Sequence, residues 1–245
     1  MGRLLAVTSG KGGVGKSSVA AHLASALSGY NNSVLLIDLD AGMRCLDLML
    51  GVSDRLVFDL NDILQNNISV EDAALKVNNN GRMFLIAAPL KQRVDEGELN
   101  KLINSIIDSY DFIILDFPAG GVNELYKALP GYAEALVVSN ADCISVRDAG
   151  AVAGDLKELD LMSVRLVVNR VDFRHMKRGI TDNIDNIIDL CSLRLIGVIP
   201  QSREIYCTGC TGTALNPKQH AAKAFDRIAK RILGYDIPLP EYKRI

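Results

Sequence analysis

The sequence lacks both a long hydrophobic run and an excess of charge of one sign. No stretch approaches the roughly 18 apolar residues of a membrane-spanning helix, and the first apolar run, residues 4–7, is too short for the core of a signal peptide. Lysine and arginine total 27 against 29 aspartates and glutamates, a net charge of -2. This balance argues against a protein that coats nucleic acid through bulk charge, although a local basic patch stays open, and we expect a cytoplasmic protein.

Proline and cysteine are also scarce. There are 7 prolines among 245 residues, of which 49% are hydrophobic and 23% charged, so disordered and collagen-like proteins are excluded. The five cysteines are an odd number and follow no signal peptide, which argues against a secreted disulfide framework. They are Cys45, Cys143, Cys191, Cys207 and Cys210. We therefore expect a reducing compartment.

Short apolar runs alternate with helical periods from one end of the chain to the other. The runs show no polar alternation, which is typical of strands covered on both faces in a parallel sheet. Predicted strands cover residues 4–8, 34–37, 83–87, 112–115, 135–138, 164–168 and 195–199, and predicted helices cover residues 16–28, 70–75, 98–109, 146–159, 181–190 and 218–233. No linker or repeat divides the chain, so we predict a single-domain, doubly wound α/β fold with a mostly parallel sheet and helices on both faces.

A glycine-rich loop follows the first predicted strand. Residues 10–17 match the pattern G-x-x-x-x-G-K-[ST] and lead into a predicted helix, which is the context of a P-loop NTPase. Glycines let successive backbone N–H groups converge on phosphate oxygens at the helix N-terminus, with Lys16 reaching the β and γ phosphates and Ser17 binding Mg²⁺. The predicted nucleotide-binding residues of the loop are Gly10, Lys11, Gly12, Gly13, Val14, Gly15, Lys16, Ser17 and Ser18.

A second lysine, Lys11, lies five residues before Lys16 in the same loop. Two such cations repel each other unless phosphate charges lie between or near them. Residues 11–17 resemble the deviant Walker A motif of the MinD/ParA ATPases. The resemblance implies that Lys11 acts in trans, contacting the partner's phosphates across a nucleotide-sandwich dimer and stabilising charge in the transition state. The alternative is a solvated loop lysine.

Carboxylates follow two of the predicted strands. Asp38 and Asp40 come directly after the second strand, and residues 38–48 resemble the switch I region of the MinD branch of this family. The resemblance implies that Asp38 holds a water of the Mg²⁺ shell and that Asp40 orients the attacking water. A solitary aspartate at a strand end is more often a cap or turn residue, but this explanation suits the pair Asp38 and Asp40 less well. Asp116 ends the apolar run 112–115 as in a Walker B motif, which is a weak signal by itself because apolar runs that end in aspartate are common. The predicted metal site is Ser17, Asp38 and Asp116, and the predicted catalytic residues are Lys11, Lys16 and Asp40.

Two further segments carry the resemblance. Residues 118–120 are similar to switch II of the family, but Phe117 stands where these proteins usually have a small polar residue. Asn169 and Arg170 follow the sixth predicted strand, where the family reads adenine, and an asparagine amide offers a base both a donor and an acceptor. The alternative for Asn169 is a turn residue. Because Asp172 makes this segment similar to the guanine signature of GTPases, GTP stays open beside ATP as the substrate.

The resemblance covers roughly residues 1–233 and implies an ATPase domain that forms a homodimer with ATP and Mg²⁺ and dissolves it on slow hydrolysis. It also implies a switch that places the division site, with a regulatory partner of the MinC or MinE type. The alternatives are a ParA-type DNA-partitioning ATPase and a flagellar-placement ATPase. Nucleic acid as a partner is disfavoured but open.

The end of the chain departs from the MinD branch. Residues 234–245 are predicted to form a short tail with Pro238 and Pro240, and we expect the amphipathic membrane anchor usual in that branch to be absent or shortened. From Lys218 onward, seven lysines and arginines stand against three aspartates and glutamates. Such an excess favours anionic membranes, so peripheral contact with the inner face of the cell membrane stays open.

One motif lies outside the resemblance. Cys207 and Cys210 form a C-x-x-C pair that is able to bind zinc or an iron-sulfur cluster across a dimer axis, with two ligands from each chain. Related P-loop cluster carriers use such a pair, but theirs follows the preceding strand. Structural or incidental cysteines are the favoured interpretation, and a cluster carrier is a further alternative function.

Overall fold

The computed structural model describes residues 1–77 and 81–239. Its strands are β1 (Arg3–Thr8), β2 (Val34–Asp38), β3 (Leu75–Lys76), β4 (Met83–Ile86), β5 (Phe112–Asp116), β6 (Glu134–Asn140), β7 (Ser163–Val171) and β8 (Arg194–Pro200). They form one eight-stranded sheet in the order β3-β4-β2-β5-β1-β6-β7-β8, in which every pair is parallel except β3 with β4. Each of the seven predicted strands is confirmed.

The described helices are α1 (Lys16–Ser28), α2 (Leu46–Met49), α3 (Leu60–Leu64), α4 (Val70–Ala73), α5 (Glu96–Ile106), α6 (Cys143–Lys157), α7 (Phe173–Lys177), α8 (Ile184–Cys191), α9 (Arg203–Thr211) and α10 (His220–Ile232). Two 3-10 turns lie at Ser53–Arg55 and Glu124–Ala128. None of the helices within the described residues is long and apolar enough to cross a membrane.

The sheet is covered on both faces, as the unbroken apolar runs predict. Every residue of β5 is buried, and successive side chains point to opposite faces. Ile113 and Leu115 join the core cluster beneath α5, α6 and α8, whereas Phe112 and Ile114 join the cluster beneath α1 and α10. Full burial of such a side chain stabilises the fold by about 1.5–3 kcal/mol. The doubly wound α/β prediction is therefore confirmed.

One edge of the sheet differs from the prediction. The helix predicted over residues 70–75 is wrong beyond Ala73, because α4 ends there and Leu75 pairs with Leu85 in the antiparallel edge strand β3. Ser69 begins α4 by accepting a hydrogen bond from the Asp72 N–H at 3.2 Å. The apolar spacing that indicates a helix here is also compatible with a short strand at the edge of the sheet.

Helix α9 was not among the predicted helices. Ser202 caps it by accepting a hydrogen bond from the Ile205 N–H at 3.4 Å, and Gly212 ends it with a φ of 65°. Gly212 also packs against Gly51, since a Cβ on Gly212 would lie 2.3 Å from the Gly51 Cα. Because neither glycine has a side chain, α9 is able to approach the end of α2 this closely.

The last helix, α10, packs its apolar face on the sheet. Phe225, Ile228 and Ile232 are all at most 2% exposed and belong to the α1 side of the core. The Arg231 Nε donates to the Ile237 carbonyl at 2.8 Å and holds the following segment close to α10. The tail over 234–245 stays a prediction, because Pro240 and residues 241–245 lie outside the described residues.

Candidate nucleotide site

The predicted site residues gather at the carboxyl end of β1. This strand lies between β5 and β6 near the middle of the sheet; from β1 the chain runs to β2 on one side of it, and after β5 it crosses to β6 on the other side. Ligands of open α/β sheets bind at such a reversal of strand order. The loop over residues 9–15 crosses this crevice, and the ends of β2 and β5 place Asp38 and Asp116 beside it.

The phosphate loop has the backbone shape that its glycines allow. Gly13 and Gly15 have φ values of 82° and 92°, in the left-handed region that favours glycine. A Cβ on Gly10 would lie 2.3 Å from the Asp148 carbonyl oxygen, so the loop passes close to α6. Helix α1 begins at Lys16 without a side-chain cap. Its first backbone N–H groups are therefore available to an anion at the positive end of the helix dipole.

Lys16 lies at the centre of the site. Its Nζ is 2.7 Å from Asp116 Oδ1 and donates to the Ser17 hydroxyl at 3.3 Å. Lys16 is 6% exposed and Asp116 is fully buried, so this ion pair is held away from water. The structure therefore brings Asp116 into contact with Lys16, from which it is a hundred positions away in the sequence.

The two strand-end carboxylates form a buried pair. Asp38 and Asp116 are partners in the parallel register of β2 and β5, and neither is exposed. Burial, and then the charge of Asp116, raise the pKa of Asp38 to about 6. Burial also raises the pKa of Asp116, against the opposing effect of Lys16. Two anions in this position repel each other, and a cation between them removes the repulsion.

The donor set of this pair fits a magnesium ion. Asp38 Oδ1 accepts a hydrogen bond from the Asp40 N–H at 3.0 Å, which fixes the orientation of its carboxylate. Asp116 Oδ2 is buried without a hydrogen-bond partner among the described residues. Carboxylate and hydroxyl oxygens, here with Ser17, are the ligands that Mg²⁺ prefers. An unpaired buried oxygen is costly on its own and gains a partner when a cation is bound.

Lys11 and Asp40 lie at the rim of the site. Lys11 is exposed, and Asp40 is half-buried. Partial burial of Asp142 acts to raise its pKa. Hydrogen bonds from Ser145 and the positive charge of Lys11 outweigh this effect, so the pKa of Asp142 is lowered. The positive charge of Lys11 therefore lies near the N-terminus of α6.

Asn169 and Arg170 contact the phosphate loop directly, which sequence reasoning did not predict. Asn169 Nδ2 donates to the Val14 carbonyl at 2.8 Å, and Arg170 Nη1 donates to the Gly13 carbonyl at 2.9 Å. The β7–β8 pairing is irregular between Val168 and Val171, and Arg170 has a φ of 53°. This irregularity turns both side chains toward the phosphate loop, so the end of β7 supports the loop. Asn169 and Arg170, with these two hydrogen bonds, are called the brace below.

A cavity of about 420 Å³ opens beside this brace. Gly15 and Ser18 line it from the phosphate loop and α1, and Asn169 and Arg170 line it from β7. Its other wall comes from the end of β8 and from α9, with Pro200, Gln201, Ser202, Ile205, Tyr206, Gly209 and Cys210, while Met49 closes it from α2. The cavity lies where a base attached to phosphates on the loop would extend. Ser202, which caps α9, and Gly212, which ends it, are the sequence signals that predict the helix forming this wall.

A larger cavity, of about 820 Å³, lies at the opposite end of the sheet. Its central carboxylate, Glu134, is paired with both Arg3 and Arg165 and accepts a hydrogen bond from Ser163. Glu134 is thus fully engaged by protein groups, and this cavity lies far from the phosphate loop. The smaller cavity, which adjoins the loop and its brace, is the better candidate for a nucleotide.

Phe117 does not enter the site. It is fully buried and stacks on Tyr126 with ring centroids 4.2 Å apart, while the Tyr126 hydroxyl is hydrogen-bonded to Thr8. Burial raises the pKa of Tyr126 to about 12, so the ring pair is a neutral part of the core. The departure from the family pattern at this position therefore places an aromatic side chain in the core below residues 118–120.

The C-x-x-C pair, Cys207 and Cys210, lies exposed on the surface of α9. Among residues 1–77 and 81–239, no group of three or more histidines, cysteines, aspartates or glutamates is arranged to hold a metal. The favoured interpretation of these cysteines and the cluster-carrier alternative both stay predictions.

Known proteins match the chain over almost its full length. Residues 5–214 match the CobQ/CobB/MinD/ParA nucleotide binding domain family. The septum site-determining protein MinD of Bacillus subtilis is 34% identical over 98% of this chain and 92% of its own length.

Solved structures agree with this match. The MinC:MinD cell division protein complex of Aquifex aeolicus contains a chain with a TM-score of 0.89 and 34% identity, over 98% of this chain and 99% of that one. The septum site-determining protein MinD of Pyrococcus horikoshii, complexed with Mg-ADP, has a TM-score of 0.83 and 27% identity, over 95% and 96% of the two chains.

Proposed function

The chain belongs to the CobQ/CobB/MinD/ParA family of nucleotide-binding proteins, and on that premise we propose that it is a MinD-type ATPase that takes part in placing the division site. The observation that carries the ATPase activity is the grouping of buried Lys16, Asp38 and Asp116 with half-buried Ser17 under an uncapped helix N-terminus. It combines a phosphate cradle, one cation and a set of hard oxygen ligands in a single crevice.

Each residue has a distinct task in the proposed reaction. Lys16 exchanges its contact with Asp116 for the β and γ phosphates and neutralises the charge that develops on them. Ser17, Asp38 and Asp116 would hold Mg²⁺, which when bound neutralises charge on the phosphate oxygens. Asp40, two residues beyond Asp38, accepts a hydrogen bond from the attacking water and orients it.

Base recognition is assigned to the cavity beside Asn169. Because Asn169 Nδ2 already donates to Val14, its Oδ1 is oriented to accept a hydrogen bond. Adenine offers an amino group to such an acceptor, whereas guanine presents a carbonyl oxygen at the corresponding position. The geometry therefore supports ATP over GTP, and competition between the two nucleotides measures the preference.

Dimerisation and partners are further parts of the proposal. Lys11 is exposed at the rim, from where its side chain reaches a second chain that faces the phosphate loop. The Aquifex complex supports a MinC-type partner for this chain. Helix α10 buries its apolar face against the sheet, so this helix does not supply an amphipathic membrane anchor in the fold described. Co-sedimentation with anionic vesicles, in ATP against ADP, measures peripheral membrane contact.

The test separates the two lysines of the loop. Lys16→Ala should abolish binding of an ATP analogue, because the phosphates lose their buried cation. Lys11→Ala should bind the analogue as well as the unmodified chain does but fail in ATP-dependent dimerisation and in phosphate release. Lys101→Ala, an exposed lysine on α5, is the matched control and should behave like the unmodified chain.

Three measurements decide the result: fluorescence titration of the analogue, molar mass by light scattering in ATP and ADP, and phosphate release. Retained ATP-dependent dimerisation in Lys11→Ala would contradict its role in trans. Normal analogue binding by Lys16→Ala would contradict the assignment of the phosphate site itself.

A further inference from the structure

Two exposed thiols lie one turn apart on α9, at the edge of the proposed base cavity. Cys207 and Cys210 have the i,i+3 spacing at which helical side chains are neighbours, about 5–6 Å apart at Cβ. Cys210 lines the cavity, whereas Cys207 is not among the residues that line it. The two thiols therefore share a helix but differ in what a group attached to them would obstruct.

The wall that carries these thiols is tied to the nucleotide site on two sides. Thr208, between the two cysteines, is hydrogen-bonded to His22 of α1 at 3.3 Å. Gly209 approaches Met49 of α2, because a Cβ on Gly209 would lie 3.8 Å from the Met49 Cε, and Met49 also lines the cavity. Helix α9 is thus anchored to α1 and α2, and a bulky group on its cavity side has no route into the core.

Tyr206 marks the cavity side of α9. It lines the cavity, it is 73% exposed, and the neighbouring Cys210 raises the pKa of Tyr206. A group attached to the Cys210 sulfur occupies the mouth of the cavity next to the Tyr206 ring. Cys207 is exposed and does not line the cavity, so the same group attached to Cys207 extends into solvent beside the cavity mouth.

We propose that Cys210 is a site of reversible modification by small-molecule disulfides, which blocks the proposed base cavity, and that Cys207 is the thiol that resolves it. The Cys210 thiolate attacks one sulfur of a disulfide RSSR, forms a mixed disulfide with it and releases one thiol RSH after proton uptake. The Cys207 thiolate then attacks the Cys210 sulfur and releases the second RSH. The products are one Cys207–Cys210 disulfide and two RSH, with the two cysteines oxidised and RSSR reduced.

The end of α9 suits the second step. A disulfide needs its Cβ atoms about 3.8 Å apart, closer than the i,i+3 spacing of a regular helix. Gly209 lies between the two cysteines, and Gly212 ends the helix immediately after them. These glycines permit the last turn to tighten, and the resulting disulfide is compact enough to leave the cavity open.

This inference rests on the proposed function, so its experiment contains its own reference. Full-length variants Cys207→Ser and Cys210→Ser, and the chain with both thiols, carry Cys143→Ser to remove another exposed thiol. Each is treated with glutathione disulfide, the modified residue is identified by peptide mass mapping, and binding of a fluorescent ATP analogue is compared with that of the same protein after reduction.

The two serine variants receive the same adduct one helical turn apart. The adduct on Cys210, in Cys207→Ser, should weaken analogue binding about tenfold or more, and reduction should restore it. The adduct on Cys207, in Cys210→Ser, should change binding by less than about twofold. With both thiols present, the final product should be the internal disulfide, with binding close to that of the reduced chain.

Equal binding by the reduced and modified forms of Cys207→Ser would overturn the inference. So would equal losses in the two variants, or a mixed disulfide that persists when both thiols are present. Absence of analogue binding in the reduced proteins would overturn the proposed function. It would also overturn the inference that modification of Cys210 blocks a base cavity.

Discussion

Replacement of His22 by glutamine should remove a large acid-dependent loss of stability. His22 lies in the middle of α1, the helix that follows the phosphate loop, and its ring packs 5.1 Å from the ring of Phe225. Its Nε2 is 3.3 Å from the Thr208 hydroxyl. Burial lowers the pKa of His22 from 6.5 to about 4, because the protonated ring is poorly solvated at this position.

The sign follows from which state binds the proton. As the pH falls, the unfolded chain takes up a proton at His22 near pH 6.5, whereas the folded chain does so only near pH 4. The unfolded state is therefore favoured progressively across this interval, and the stability present above pH 6.5 is lost. The full difference in pKa corresponds to about 3 kcal/mol.

Asp38 acts in the opposite direction over part of the same interval. Its pKa is raised from 3.8 to about 6, so the folded state binds the extra proton and gains stability as the pH falls through 6. The unmodified chain alone therefore shows a partly cancelled pH dependence. The informative quantity is the difference between His22→Gln and the unmodified chain at each pH.

Urea unfolding between about pH 7.5 and pH 4.5 gives this difference by linear extrapolation. The stability of His22→Gln relative to the unmodified chain should rise by about 2–3 kcal/mol from the first pH to the second. His175→Gln, which replaces an exposed histidine of α7, is the matched control. Parallel curves for His22→Gln and the unmodified chain would refute the reasoning.

Two more predictions concern the site itself. Asp38→Asn should raise the free energy of unfolding at about pH 7.5 by up to about 3 kcal/mol, because it removes a charge that burial and Asp116 disfavour. The same variant should lose Mg²⁺-dependent phosphate release. Urea unfolding and a phosphate assay measure the two effects, and a variant less stable than the unmodified chain would contradict the electrostatic argument. Asn169→Ala should destabilise the fold by about 1–3 kcal/mol, since the Val14 carbonyl loses its donor, and should weaken ATP-analogue binding. Exposed Asn104 gives the control Asn104→Ala, and unchanged analogue binding by Asn169→Ala would contradict the bracing role.

The predictable parts of this protein are those whose physical cause is local in sequence. Gly13 and Gly15 are needed for the left-handed turns of the loop itself, so the motif predicts the cradle without knowledge of distant residues. The apolar residues of β5 need cover on both faces wherever the strand lies, and so they predict a parallel sheet between two helical layers. Asp116 follows from the end of that strand.

The parts that could not be predicted depend on contacts between distant segments. The bond from Asn169 to Val14 joins residues 155 positions apart and requires the irregularity in β7. Phe117 is explained only by the ring of Tyr126 below it. The apolar spacing of residues 70–75 is compatible with a helix or a strand. Leu75 is in a strand because it pairs with β4 at the edge of the sheet.

The energetics of the site divide the work of nucleotide binding between two groups of residues. The phosphate loop is already held by Asn169 and Arg170, so the entropic cost of ordering it is met on folding, and binding of phosphate requires little further ordering. The carboxylates Asp38 and Asp116 are in the opposite condition, since their raised pKa values show that the folded chain holds them at a cost. A bound cation relieves that cost, and the relief adds to the affinity for a nucleotide that carries Mg²⁺. A rigid cradle beside a destabilised anion pair therefore favours the metal complex of the nucleotide over the free nucleotide, which is the discrimination that a phosphoryl-transfer site needs.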